Sequence, residues 1–354
     1  MTADVVVIGA GVIGSSVAYH LASRGVRVRV VDRAPDANHG STARATGGFR
    51  AQFGTEVNVR LSLLSREKLL RFEDEIGVDS GYQQYGYLFI ARTQHELDEL
   101  LSAQRVQHAC GVTKARAVSA DEIRTLNPAI EDDSIVGGTF CPTDGFIVPM
   151  KIRNGYADAA QRLGATFEFN SAMTSLDPKV TYVNAAGAWA AEVCSVSVTP
   201  LRRRVATTVP TNVLPETMPM TIWAGDAFHL RVRDGRVLLV WPDNPPNDEV
   251  WLDQVLRWAH ERVPVLRDVP IDLGNCWQGF YEMSPDRHAI VGRHPQRENV
   301  YLANGSSGHG VMHSPAIGQL VAEMIVDGRT SIDLSALRPA RFAEGKPVIG
   351  PALL

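Results

Sequence analysis

Four residues near the start of the chain have the types and spacing to hold a phosphate-bridged ligand. Gly9, Gly11 and Gly14 stand in a G-x-G-x-x-G pattern, and Asp32 follows eighteen residues after Gly14. The pattern assigns each a job. Gly9 allows a tight turn, Gly11 lets a pyrophosphate approach the backbone, and Gly14 allows a helix to pack close to a strand. A helix starting at Val12 and Ile13 would turn free N–H groups and a partial positive charge toward the phosphates. Asp32 has the acidity and position to accept the two hydroxyls of an adenosine ribose. The chemistry implied is dinucleotide binding.

The elements needed to position these residues are legible. An apolar strand, Val5–Ile8, runs into the glycines. A helical stretch reaches Gly25, and a second strand, Val26–Val31, delivers Asp32. Residues 35–54 are small and polar and read as a long ordered loop, of the kind that usually carries function. Amphipathic or capped helices are expected near 55–70, 94–109, 119–126, 149–163 and 249–262, and strands at 82–91, 165–169, 180–185, 237–241 and 299–303. A last helix is expected from Ser314-Pro315, with proline in the first turn, to about Gly328.

The chain has 354 residues, enough for about two domains. Its net charge of −4 gives no electrostatic reason to expect nucleic acid as a partner. Arg202-Arg203-Arg204 is the only basic run and reads as a solvated strand edge. No apolar stretch approaches a membrane span. Cys110, Cys141, Cys194 and Cys276 lie far apart without a CxxC pair, which favours a reducing, cytoplasmic setting over disulfides or a metal site.

A nicotinamide enzyme would be expected to continue with further parallel βα units. This chain instead offers the loop Ser41-Thr42-Ala43-Arg44-Ala45-Thr46-Gly47-Gly48 and two more glycine-rich strand ends, Val183–Trp189 and Gly305–Gly310. Several backbone approaches along one extended ligand fit FAD better than NAD. With Gly279-Phe280-Tyr281-Glu282-Met283-Ser284-Pro285-Asp286 and Ser307–Met312, these motifs give the chain a resemblance to the D-amino-acid oxidase superfamily of FAD-dependent amine oxidoreductases. Within it the chain resembles sarcosine oxidase, glycine oxidase and the proline dehydrogenase β-subunits. The resemblance spans nearly the whole chain.

The resemblance implies an α/β fold, with a Rossmann-like FAD-binding domain (1–77, 143–199 and 283–354) interleaved with an antiparallel-sheet α+β substrate domain (78–142 and 200–282). It implies that Arg33, Ser41 and Thr42 line the pyrophosphate and adenosine side, and that Ala186 and Gly187 close over the adenine half. Arg44, Thr46, Gly47 and Gly48 pass the flavin ring. Gly308, His309, Gly310, Val311 and Met312 run past its pyrimidine edge, where the dipole of the last helix favours the reduced flavin. FAD is expected to be non-covalent, because Gly279 fills the position of a flavin-linked cysteine and Cys276 comes three residues too early.

The substrate implied is a small amino acid with a free carboxylate, oxidised next to its nitrogen, with oxygen or a partner protein as electron acceptor. Arg50 is the first candidate carboxylate anchor and Tyr281 a candidate wall. His309, His229 and Arg231 are further candidates for contact with substrate or flavin, and His288 is a weaker one. The Val237–Trp241 strand lacks the oxygen-activating lysine of sarcosine oxidase. The run Asn170–Lys179 is short where relatives insert a hairpin. An oligomer, or a β-type subunit working with partner chains, is compatible with all of this.

Overall fold

The computed structural model describes residues 4–243 and 245–350. Among these residues the chain builds two large sheets that face each other across one long cleft. The first sheet has six strands, in the order Ile290–His294, Arg297–Asn304, Thr181–Asn184, Val5–Ile8, Val28–Val31 and Thr166–Glu168. All neighbours are parallel except the first pair.

The run Val5–Ile8 is buried throughout because both faces of this sheet are covered. Val5 and Val7 join the core under the helices Val12–Ala22, Pro149–Arg162 and Gly310–Val326. Val6 and Ile8 join a second cluster with Tyr182, Val198 and Leu302. Strand ends pointing the same way, with a helix starting just beyond, create the crevice in which open parallel sheets bind ligands.

The second sheet has eight strands, in the order Trp277–Met283, Thr199–Thr207, Arg236–Val240, His229–Arg233, Met220–Trp223, Tyr87–Ala91, Gly137–Cys141 and Arg116–Val118. Met220–Trp223 runs parallel to Tyr87–Ala91, and the other pairs are antiparallel. One face packs Trp223, Phe228 and Leu230 with Trp251 and Val255 of the helix Asp248–Arg262. The other face looks into the cleft. Directly paired residues share a face, so Val205, Val240, His229 and Ile222 form one row across it. The architecture is the α/β fold expected, a Rossmann-like sheet joined to a largely antiparallel one.

Two expectations need correction. The last helix begins at Gly310, so Pro315 lies inside it and not in its first turn. Proline cannot donate to the carbonyl of Val311, and the Ser314 hydroxyl donates to that oxygen instead, at 2.9 Å. The helix therefore starts four residues earlier, in the cleft itself. The arginine run is not a strand edge either. Thr199–Thr207 lies between two other strands, and Arg204 is buried against Asp248.

Candidate active site

The cleft encloses about 1340 Å³ and runs from the end of Val28–Val31 to the inner face of the antiparallel sheet. That exceeds the few hundred to ~1,000 Å³ of a typical small-molecule pocket, and leaves room for an extended ligand with a small one beside it.

At one end the glycine turn is built as its spacing suggested. Gly9 has φ +106°, and a Cβ there would lie 2.3 Å from the Ala185 carbonyl oxygen. A Cβ at Gly14 would lie 1.8 Å from the Gly9 carbonyl oxygen. Gly11 is different. Its nearest neighbour would be Thr42 Oγ1 at 3.4 Å, so its open side faces the cleft. Val12 N–H, the first of the helix, donates to Thr42 Oγ1 at 3.1 Å, and Arg153 Nε steadies the turn by donating to the Ala10 carbonyl at 2.9 Å. The Asp32 carboxylate accepts from Ala10 N–H at 2.7 Å and Ala34 N–H at 2.8 Å. Arg33 lies over the Trp189 ring, 4.6 Å from its centroid.

Farther along, Ser41 to Arg44 form a single 3-10 turn and Gly48-Phe49 pair with Gly145-Phe146. Arg44, Thr46, Gly47 and Gly48 face the cleft, as do Ala186 and Gly187 from the opposite wall. Gly308, His309, Gly310, Val311 and Met312 bring in the start of the last helix. Gly308 has φ +97° and sits under Tyr281, whose ring a Cβ would meet at 2.5 Å.

The cleft fits a dinucleotide on its own observations. Gly11 leaves a bare backbone beside a helix N-terminus. Among the described residues, Glu282 Oε2 and Ser306 Oγ are buried in its wall without a hydrogen-bond partner. Burial pushes the Glu282 carboxyl up to about 7, so it can present a proton to an acceptor.

The model for FAD dependent oxidoreductases, known as the DAO family, matches residues 4–324. The chain belongs to this family. It is 26% identical to FAD-dependent oxidoreductase domain-containing protein 1 of Xenopus laevis over 423 residues, covering 98% of this chain and 84% of that protein. It is 28% identical to mitochondrial dimethylglycine dehydrogenase of Mus musculus over 390 residues, covering 97% of this chain but only 44% of that longer protein. Among solved structures, L-proline dehydrogenase from P. horikoshii superimposes with a TM-score of 0.89 at 26% identity, covering 98% of this chain and 99% of the other. The protein is therefore an FAD-dependent oxidoreductase. Gly279 packs against the Arg44 side chain, and no cysteine lines the cleft among the described residues, which is compatible with the non-covalent FAD expected.

The far end of the cleft gathers most of the substrate candidates. Arg50 is 2% exposed. Its Nη1 donates to the Gln52 carbonyl at 2.7 Å, its Nη2 lies 3.2 Å from His309 Nε2, and its guanidinium sits 4.1 Å from the Phe53 ring centroid. A guanidinium only donates, so His309 Nε2 accepts and its Nδ1 carries the proton. Burial brings the Arg50 pKa down to about 10, which keeps it charged at neutral pH.

His229 Nδ1 lies 2.9 Å from the Ala227 carbonyl, so Nδ1 holds the proton and Nε2 is left as an acceptor. Burial pushes His229 down to about 4, so the ring is neutral. Tyr281, Tyr87, Met220 and Ile222 supply walls.

Two candidates are not brought into the cleft. Arg231 donates to the Thr46 carbonyl at 2.8 Å and lies 3.6 Å from the Phe146 ring centroid, so it supports the loop carrying Thr46 from behind. His288 faces Thr55 Oγ1 at 3.2 Å. Gly14 also lies outside the lining, because it packs against the glycine turn.

Sequence reasoning missed Arg203, Tyr87 and Glu282, which all line the cleft. The available signal was period-two alternation: Leu201, Arg203 and Val205 share a face.

Asp144 buttresses the Arg50 segment from below. It is fully buried, accepts from Ala51 N–H at 3.0 Å, and is pushed up to about 6 by burial. Its folded pKa exceeds its ordinary value, so the folded protein holds this proton more tightly. Stability is then highest below pH 4 for this group and declines as pH rises toward 6. The step is expected to be on the order of 2 kcal/mol. Denaturant unfolding across pH 4 to 6.5 should show this step in the wild type and not in Asp144→Asn. A variant that keeps the full step would assign it to another group.

Proposed function

We propose that the protein oxidises the C–N bond of a small amino acid carrying a free carboxylate and a secondary or N-methyl amine. The observation that carries this is Arg50, a buried cation at the substrate end of a flavin cleft, oriented by Gln52 and His309. Its planar fork suits a carboxylate, and fixing the carboxylate aims the neighbouring carbon. Bound FAD supplies the acceptor for the hydride that leaves this carbon. Tyr281, Tyr87, Met220 and Ile222 exclude water from the reacting face. Neutral His229 offers Nε2 to an amine N–H without placing a second positive charge beside it. Water then hydrolyses the imine product. Two relatives bear names that fit this class, dimethylglycine dehydrogenase and L-proline dehydrogenase.

Oxygen as acceptor, yielding hydrogen peroxide as in sarcosine oxidase, is the first reading. A dehydrogenase serving a quinone or partner protein is the second. One observation favours the second: no lysine lines the cleft among the described residues, where the resemblance implied one for oxygen activation.

The purified protein should be yellow and release FAD on acid denaturation. Under anaerobic conditions sarcosine, dimethylglycine, proline or a close analogue should bleach it. The reduced protein is then mixed with oxygen and with a quinone to assign the acceptor. A colourless protein, or flavin that no amino acid of the panel bleaches, would remove this reading.

A further inference from the structure

The substrate end of the cleft holds a second arginine with a different environment. Arg203 lies on Thr199–Thr207, directly opposite Gly279, and its face of the strand is the cleft face. Its neighbours Arg202 and Arg204 point to the other side, where both donate to Asp248. Arg203 has no such partner: among the described residues no carboxylate lies within ion-pair distance of it. One amino group donates to the Pro242 carbonyl. Its Nε is buried and makes no hydrogen bond within the described residues. The guanidinium lies 5.3 Å from the Tyr281 ring centroid.

Burial lowers the Arg203 pKa. The groups whose fields reach it are Tyr281, the cation Arg287 and the exposed Asp243. Arg50 and Arg203 both act electrostatically on Tyr281 and on His229, which places the two cations around one chamber. A site for one carboxylate needs one of them. A buried guanidinium without a carboxylate partner is costly. An anion carrying two carboxylates gives each of these two cations a partner of opposite charge.

We propose that Arg203 is a second carboxylate receptor, and that the substrate is a dicarboxylic amino acid with one carboxylate on Arg50 and the other on Arg203. This rests on the amine-oxidising reading for its chemistry. Its binding half can be tested without turnover. In thiodiacetate and (methylthio)acetate a sulfur replaces the amine nitrogen, and the two differ by one carboxylate. Titrating each into the FAD-loaded protein and following the flavin absorbance gives two dissociation constants.

Thiodiacetate is expected to bind about tenfold or more tightly than (methylthio)acetate, as a charge-assisted hydrogen-bond pair would give. Arg203→Gln should bring the ratio close to one, and Arg203→Lys should restore part of it. Equal binding in the wild type overturns the proposal without any variant. So does a preference that survives Arg203→Gln. In turnover, iminodiacetate should bleach the flavin more efficiently than sarcosine. If the binding preference is found and no amine bleaches the flavin, the amine-oxidising reading fails while the dicarboxylate receptor stands. If sarcosine bleaches the flavin and the preference is missing, the reverse holds.

Discussion

Replacing Gly11 by valine is expected to give a folded, colourless protein. Gly11 has φ −69°, a value any residue adopts. A Cβ there would find only Thr42 Oγ1, at an ordinary 3.4 Å. The chain itself therefore tolerates the side chain. The pyrophosphate does not, because the branched group occupies the open space through which a phosphate must reach the helix N–H groups. Losing two charge-assisted hydrogen bonds, each worth roughly 1.5–3 kcal/mol, weakens FAD binding by about a thousandfold. Gly14→Val is the contrasting variant. Its Cβ would lie 1.8 Å from a backbone oxygen, so it should damage folding itself. Flavin-to-protein absorbance together with circular dichroism separates the two. A Gly11→Val protein that retains FAD would show that the phosphates do not pass this residue.

Arg50→Lys should produce the opposite pattern, full FAD content with little reduction by substrate. Lysine keeps the charge but presents a point donor instead of a planar fork. It also cannot reproduce both the Gln52 and the His309 contacts of Arg50. Disrupting one member of a buried charge pair costs roughly 2–5 kcal/mol, so the efficiency of anaerobic flavin reduction should fall by about a hundredfold or more. A variant within about threefold of the wild type would remove Arg50 as the anchor and leave Arg203 as the cation to test.

The cofactor half of this molecule was far more legible than the substrate half. Gly9, Gly11, Gly14 and Asp32 are close in sequence, and local rules fix what such spacing must form. The turn at Gly9 and the packing at Gly14 follow from steric demands that only glycine meets. The substrate end is assembled from distant segments. Arg50 meets His309 across 259 positions of chain, and Arg203 meets Tyr281 only through the pairing of two strands. Strand order is not written in local sequence, so Arg203 read as a solvated edge. Arg231 looked equally available, yet its guanidinium is taken up by Thr46 and Phe146. The start of the last helix was misread for a related reason. Pro315 is a standard first-turn residue, and the Ser314 hydroxyl that lets it sit deeper acts through a single hydrogen bond.

The central claim is that a carboxylate held by arginine presents an amine for oxidation beside the flavin. Anaerobic rapid mixing with matched pairs tests it most directly. Each carboxylate-bearing amine, such as sarcosine, proline or iminodiacetate, is compared with its counterpart lacking carboxylates, dimethylamine or pyrrolidine. The account predicts flavin bleaching by at least one of the acids and none by its decarboxylated partner at equal concentration. Equal bleaching by both members of a pair would contradict it.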